Sequence, residues 1–163
     1  MVASGDEITA ADITDLEDLT IRRPAVRLVQ AVVQSMPDNT QTALTFTTEE
    51  LDDYGFHDVA VNNTRITPTV AGWYRFTGAY VSGVLTTPVS FMVILRKNGT
   101  NIPSGFRNTG LGTFPSSTIS LLAEMNGTTD YMEMTGIQDS AGATNTAVTT
   151  WATSMFECEF VCL

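Results

Sequence analysis

The sequence predicts an all-β protein folded as an antiparallel sandwich, and three observations lead to this prediction. Residues 25–163 consist of short β-branched and aromatic runs separated by turn residues, with no helical pattern between them. Charged residues make up only 16% of the 163-residue chain, and Ser, Thr, Asn and Gly stand in their place, which suits a β-rich surface. Hydrophobic residues make up 43%, which is enough to build the core of one domain.

The first 24 residues differ in kind from the rest and are predicted to form a separate N-terminal arm. Residues 7–20, EITAADITDLEDLT, carry the one convincing helical pattern, with Thr9 as a cap and apolar residues on one face. A helix this short is marginal alone, so we expect its apolar stripe to dock on another surface. Pro24 ends any helix, and the main domain follows as residues 25–163. The side chains expected to anchor the arm are Ile8, Ile13, Leu16 and Leu19.

The main domain is predicted to be a series of strands joined by turns. Asn98-Gly99 and Asn126-Gly127 are strong hairpin signals because both lie between extended flanks. The acidic stretch 48–58 is predicted to be a loop, and TGLGT at 109–113 a turn. The closing stretch 149–163 is predicted to be a structural strand. Extended segments are predicted at 26–33, 42–46, 64–67, 73–82, 89–102, 118–137 and 149–163.

The stretch ITPTVAGWYRFTGAYVSG, residues 66–83, predicts a half-buried strand. Tyr74, Phe76 and Tyr80 fall on one face of the alternating run, whereas the opposite face is mixed. Pro68 keeps the start of the segment extended, and Gly72 permits a turn or a bulge before the strand. These residues therefore predict scaffold rather than a ligand site.

The charge distribution argues against nucleic acids and membranes as partners. The formal charge is −10, and residues 1–20 contain six acidic residues and no basic one. Such a balance repels phosphate backbones and anionic lipids, so a basic or polar protein surface is the expected partner of the arm. No run of 18 apolar residues and no signal-peptide pattern occurs in the sequence, which predicts synthesis in a cytoplasm without export by that route.

Catalytic residue patterns are weak, and the sequence predicts that the protein is not an enzyme. His57 is the sole histidine, and no serine is placed as a nucleophile beside it. A glycosidase needs two opposed carboxylates. Exposed carboxylates on alternating strands are common in proteins without such activity, so their presence does not indicate a catalytic pair. The carboxylates from which such a pair would have to come are Glu124, Asp130, Glu133, Glu157 and Glu159.

Metal and disulfide chemistry are not predicted, although one alternative stays open. The two cysteines, Cys158 and Cys162, would lie about 13 Å apart on one strand, too far for a disulfide, and are predicted to be small buried hydrophobes. The carboxylates of loop 48–58 lack the spacing of a known calcium loop, so a solvated loop is favoured over a calcium site. No cofactor is predicted.

Three blocks of the main domain resemble the globular head of the complement and tumour-necrosis-factor superfamily. The first is Pro68, Gly72, Tyr74 and Phe76, which match the family pattern P-x-x-G-x-Y-x-F with one extra Trp73. The second is Lys97-Asn98-Gly99, and the third is a looser match at Asn126-Gly127 and Asp130-Tyr131. The resemblance covers about residues 25–163 and implies a ten-stranded jelly roll that assembles as a tight homotrimer.

The aromatic and methionine content exceeds what one small sandwich clearly needs, so some of these side chains are expected to line the threefold interface. The alternative is that all of them belong to the core of the single chain. The candidate interface residues are Trp73, Tyr74, Phe76, Tyr80, Phe91, Met132, Met134 and Phe156.

The N-terminal arm is similar to the openings of many virion proteins of tailed phages, especially small tail and fibre proteins. This resemblance implies a docking peptide that binds another virion protein and carries a trimeric head. Two non-catalytic roles follow: a tail or fibre module that contacts a host glycan or protein through its loops, or a capsid decoration that cements neighbouring subunits. A polysaccharide-cleaving enzyme is a third, disfavoured role. The recognition loops are expected at 48–63, 83–88, 103–116 and 138–148.

Overall fold

A computed structural model describes Thr9 and residues 23–103 and 107–163. The helix predicted at 7–20 and the anchoring residues Ile8, Ile13, Leu16 and Leu19 therefore lie outside the described residues. Among the described residues, no helix is long and apolar enough to cross a membrane.

The described part of the chain consists of strands joined by turns and loops, as the sequence predicts. The strands are β1 (Ala25–Val29), β2 (Ser35–Met36), β3 (Thr42–Ala43), β4 (Thr48–Asp52), β5 (Arg65–Ile66), β6 (Ala71–Val81), β7 (Leu85–Lys97), β8 (Thr100–Asn101), β9 (Asn108–Gly112), β10 (Ser116–Asn126), β11 (Met132–Gln138), β12 (Thr144–Asn145) and β13 (Met155–Cys162).

Two antiparallel sheets pack face to face. The front sheet has the strand order β10-β6-β13-β1-β4. The back sheet has the order β3-β11-β7-β8, with β5 paired to β11 and β9 paired to β7. A short pair, β12 with β2, lies apart from both. Sheet neighbours are mostly distant in sequence, so the chain crosses repeatedly between the two layers.

The core lies between the sheets and is rich in aromatic rings. Tyr74, Phe76 and Tyr80 are fully buried on the inner face of β6, which confirms the predicted half-buried strand. The Phe76 ring contacts that of Phe156 at a centroid distance of 6.2 Å. On the facing layer, Met134 occupies the space that Gly78 leaves free, since a Cβ at Gly78 would lie 2.4 Å from the Met134 sulfur.

The last strand, β13, lies in the middle of the front sheet. It pairs with β6 on one side and with β1 on the other. Phe156, Cys158 and Phe160 point into the core from this strand. The prediction that the closing stretch is structural is therefore confirmed.

The two Asn-Gly turns have different roles. Asn98 and Gly99 have φ values of 51° and 78° and join β7 to β8 as the predicted hairpin. Asn126-Gly127 does not make a hairpin, because β10 pairs with β6 whereas β11 pairs with β7. It forms a corner between the sheets, where the Asn126 side-chain oxygen accepts hydrogen bonds from three successive backbone N–H groups.

Two segments predicted to be irregular are strands. The predicted acidic loop contains β4, which pairs with β1, and the predicted turn at 109–113 belongs to β9, which pairs with β7. Both strands lie at the margin of a sheet and have few buried side chains. The hydrophobic alternation that marks a half-buried strand is therefore missing from both.

At the corner after β10, the contacts of the Asp130 carboxylate predict a contribution to stability that is lost in acid. Its carboxylate accepts hydrogen bonds from the Lys97 ammonium at 2.8 Å, the Asn98 amide at 2.7 Å and the Asn126 backbone N–H at 3.1 Å. Lys97, then Asn98, hold the pKa of the carboxyl below its ordinary value of 3.8. Because the pKa is lower in the folded state, this stabilisation is present above the ordinary value and is lost as the pH falls below it.

We therefore expect Asp130→Asn to flatten the dependence of the unfolding midpoint on pH between about pH 5 and pH 2. Urea unfolding across this range measures the effect. Asp53→Asn is the comparison variant, because no hydrogen-bonded partner of the Asp53 carboxylate is found within the described chain. An equally flattened pH dependence in Asp130→Asn and Asp53→Asn would contradict the role given to Asp130.

Candidate functional site

Seven of the eight residues predicted for a trimer interface lie inside the single chain. Each of the seven is at most 2% exposed, and a side chain that its own subunit covers cannot meet a partner. This corrects the interface prediction in favour of the core. Trp73, which is 40% exposed on the other side of β6, is the one member at the surface. The seven core residues are Tyr74, Phe76, Tyr80, Phe91, Met132, Met134 and Phe156.

The outer side of the front sheet carries Trp73 and forms one of two candidate surfaces. We call this surface the open face. Large apolar side chains are exposed on three of its strands: Leu51 on β4 (41%), Trp73 on β6 (40%) and Leu122 on β10 (49%). A groove of about 290 Å³ lies between Leu51 and Arg75. The open face therefore combines apolar contact area with a shallow depression.

Charged residues on the open face form ion pairs across the strands. The Arg27 guanidinium pairs with Glu157 on β13 and with Glu50 on β4, and the hydrogen bond to Glu50 is the main cause of its raised pKa. Arg75 pairs with Glu159 at 3.1 Å. Exposed pairs of this kind contribute little to stability. Two arginines face three paired glutamates, so the open face keeps a net negative charge. Glu157 and Glu159 are thus engaged in ion pairs.

The second candidate surface is a cleft at the end of the sandwich where β6 finishes. This end cleft has a volume of about 610 Å³, within the range of small-ligand sites. Its walls come from Val33 beyond β1, from 83–85, from Phe114, and from 140 and 142–149. The structure thus brings together three of the four segments expected to contain recognition loops. The fourth, 48–63, contributes no residue to the cleft.

An aromatic pair stands beside the end cleft. Trp151 is 73% exposed, and its ring meets that of Phe114 edge-on at a centroid distance of 5.0 Å. Phe114 itself has a φ of 55°, a left-handed conformation that bulky residues rarely adopt. Strain of this kind persists where surrounding contacts impose it, and it often occurs at binding sites.

Sequence reasoning missed Trp151, because it assigned 149–163 to the final strand. Within that stretch β13 begins only at Met155. Residues Thr149 to Ala152 form a tight turn, in which the Thr149 backbone N–H donates to the Ala152 carbonyl at 2.9 Å. A tryptophan among small polar residues in TTWATS, before the period-two pattern starts, was the available signal.

The acidic loop and His57 have structural partners. The Asp52 carboxylate accepts hydrogen bonds from the backbone N–H groups of Phe56 and His57, at 2.9 and 2.8 Å. The His57 ring is buried, with Nδ1 2.8 Å from Glu49. Asp58 accepts two backbone hydrogen bonds, which lower its pKa. Among the described residues, no group of three or more His, Cys, Asp or Glu side chains is placed to hold a metal ion.

Two of the remaining three carboxylates of the glycosidase alternative also have partners. Glu133 is buried on β11, accepts a hydrogen bond from the Thr64 hydroxyl at 3.0 Å, and pairs with Arg65 and Arg96 at 3.4 and 3.5 Å. Asp130 is held by the corner described above. Glu124 lies on the open face beside Trp73.

The two cysteines occupy different environments, and the prediction that both are buried is half correct. Both are free thiols. Cys158 is buried in the core, and burial raises the pKa of its thiol. Cys162 is exposed, because β13 reaches the margin of the sandwich there.

The end cleft and Pro24, where the chain enters the domain, lie at opposite ends of the domain. Residue 24 meets the far end of β13, where the Phe160 backbone N–H donates to the Pro24 carbonyl at 2.8 Å. This is also the end at which β6 begins, since Cys162 pairs with Trp73. β6 then runs 11 residues to the cleft, a distance of about 33 Å at ~3.3 Å per residue.

The fold is a jelly roll of the kind found in tumour-necrosis-factor and complement head domains, which confirms the fold class predicted from the sequence. The crystal structure of murine APRIL at pH 8.0 superposes with a TM-score of 0.59 at 12% identity, covering 86% of this chain and 100% of that one. The globular domain of zebrafish complement 1qA protein gives 0.55 at 12% identity, covering 85% and 97%. At such low identity the likeness shows the fold alone. No protein-family model and no curated protein matches the sequence.

Proposed function

We propose that this chain is a non-catalytic structural protein of a virion surface. In this proposal the jelly roll is the head of a homotrimer, residues 1–24 dock it to another protein of the particle, and the opposite end contacts the host. The role is that of a tail or fibre module. The proposal joins the two sequence resemblances to the geometry of the described domain.

The observation that carries the proposal is the separation of the two ends of the head. The arm joins the domain beside Phe160, whereas the end cleft and its exposed Trp151 lie beyond the other end of β6. A head anchored through its arm would therefore present the cleft away from the particle. A host-binding module needs this arrangement.

The open face supports trimer formation. Its exposed Leu51, Trp73 and Leu122 can bury apolar area against a second copy. We expect the purified protein at micromolar concentration to have about three times the 17.6 kDa subunit mass by light scattering or native mass spectrometry. A monomer under these conditions would contradict the proposal.

Leu122→Lys is expected to convert the trimer to monomers, because it places an unpaired charge next to Arg75 within the interface. Leu122 is 49% exposed in the single chain, so the fold should survive the change. Leu111→Lys is the matched control, since Leu111 is 58% exposed on β9, outside the front sheet. If both variants were monomers, or if both stayed trimeric, the open face would not be the trimer interface.

Deleting residues 1–20 is expected to remove the protein from the virions of the phage that encodes it, while the purified head remains folded. Mass spectrometry of purified particles measures the loss. Particles that stay intact but no longer attach to host cells support the tail or fibre role. Particles that attach normally but lose resistance to heat or low salt would favour the capsid decoration instead. Turnover of a host glycan by the purified protein would contradict the non-catalytic role.

A further inference from the structure

We propose that the end cleft is a binding site for a neutral glycan, with Trp151 as the ring on which a sugar stacks. The inference rests on the proposed function, in which the end of the head far from the arm meets the host surface. It goes further by assigning the site and the chemical class of its ligand.

The first reason is the exposed ring. Trp151 is 73% exposed and presents a large apolar surface to water, and covering that surface with a ligand is favourable. Sugars present flat patches of C–H groups that pack on aromatic faces. Trp151 keeps this exposure despite its contact with Phe114, a residue of the cleft wall, so much of the indole ring stays available to a ligand.

The second reason is the chemistry of the walls. Among the described residues that line the cleft there is no Asp, Glu, Lys, Arg or His, although the full chain has a formal charge of −10. A charged ligand would enter this cleft with no partner of opposite sign, which is unfavourable. The neutral walls therefore favour an uncharged ligand.

The third reason is the supply of neutral hydrogen-bonding groups. Asn145 is exposed, and within the described chain its side-chain amide has no partner, so it can both donate and accept. The Thr146 hydroxyl accepts from the Gln34 backbone N–H and is buried, so it orders the wall rather than meeting the ligand. The Ser140 hydroxyl donates to the Gly142 carbonyl and keeps its lone pairs. Hydroxyl groups of a sugar match donors and acceptors mixed in this way.

The fourth reason is that the site is held in place before any ligand arrives. The Gly83 backbone N–H donates to the Asn145 carbonyl at 2.7 Å, and the Ala147 N–H to the Val81 carbonyl at 2.9 Å, so the cleft wall is tied to the end of β6. The Thr149 hydroxyl closes the turn that presents Trp151, through hydrogen bonds with Ala152. A preformed site loses less conformational entropy on binding.

Calorimetric titration of the full chain with four neutral probes tests the inference: maltohexaose, mannotetraose, a galactan tetrasaccharide and an arabinan tetrasaccharide. Trigalacturonate is the charged counterpart. We expect saturable binding of at least one neutral probe and none of trigalacturonate. Trp151→Ala should raise the Kd of the neutral probe that binds at least tenfold. Trp151→Phe, which keeps a ring, should raise this Kd less.

Val59→Ala is the matched control, because Val59 is 43% exposed but does not line the cleft. This variant should bind the neutral probe with the same Kd as the parent protein. Circular dichroism of each variant checks that the fold is kept. Three results would overturn the inference: no binding of any neutral probe, equal binding of trigalacturonate, or a Kd that Trp151→Ala leaves unchanged. A trimer that docks through its arm but binds no sugar would refute the glycan site alone. A sugar-binding monomer would refute the proposed assembly instead.

Discussion

Replacing Phe156 with alanine is expected to lower the free energy of unfolding by about 3–5 kcal/mol. Phe156 is fully buried on the central strand of the front sheet, and its ring lies 6.0 Å from that of Phe46 and 6.2 Å from that of Phe76. Alanine removes these contacts and leaves a cavity that a packed core closes only in part. Because small domains are stable by about 5–15 kcal/mol, the loss is a large share of the total.

Urea unfolding at a fixed protein concentration measures this loss, since assembly makes apparent stability depend on concentration. Phe156→Leu is the matched variant, because it keeps an apolar side chain at the same position and should lose clearly less. Trp151→Ala removes a larger aromatic side chain from the surface and should change stability by less than about 0.5 kcal/mol. Equal losses at Phe156 and Trp151 would contradict the assignment of core and surface.

Gly127→Ala is expected to be the most damaging single-methyl addition at the corner after β10, at about 2–4 kcal/mol. Gly127 has a φ of 70°, which an L-residue adopts at a cost. A Cβ there would also lie 2.5 Å from the Ala71 nitrogen and 2.9 Å from the Val70 carbonyl carbon. Both atoms belong to the backbone at the start of β6, so no side-chain rotation relieves the clash.

Two other glycines separate the two causes. Gly55 has a φ of 65°, but a Cβ there would meet no atom within 4 Å, so Gly55→Ala should lose only the backbone cost of about 1 kcal/mol. A Cβ at Gly142 would also meet nothing, and its backbone is not left-handed, so Gly142→Ala should be neutral or slightly stabilising. Thermal unfolding of the three variants gives the ranking. A loss of stability in Gly127→Ala no larger than that in Gly55→Ala would show that the backbone of the corner shifts to accommodate the methyl group.

Much of the scaffold was predictable because it depends on local pattern. The alternation in β6 predicted that Tyr74, Phe76 and Tyr80 point inward, and all three are fully buried. It did not tell whether the surface they face belongs to the same chain or to a partner, since both are apolar. For this reason seven residues of the single-chain core were named as interface candidates, with the core of the single chain as the alternative.

The errors have a common physical origin. Asn-Gly chemistry favours a sharp reversal of the chain, but whether the flanking strands then pair depends on which strands lie beside them. At Asn98-Gly99 they pair, and at Asn126-Gly127 they diverge into different sheets. β4 and β9 were missed because strands at a margin need no alternating apolar residues.

The all-β class, the inward face of β6 and the structural role of the last strand follow from residue chemistry that acts over a few positions. The end cleft does not, because it forms where segments far apart in the chain meet. Gly83 bonds to Asn145, and Phe114 meets Trp151, across separations that no local pattern encodes. The separation of Pro24 from the cleft likewise depends on how β1, β6 and β13 align in one sheet. Packing over long range thus placed the end cleft, whereas local patterning specified the frame that holds it.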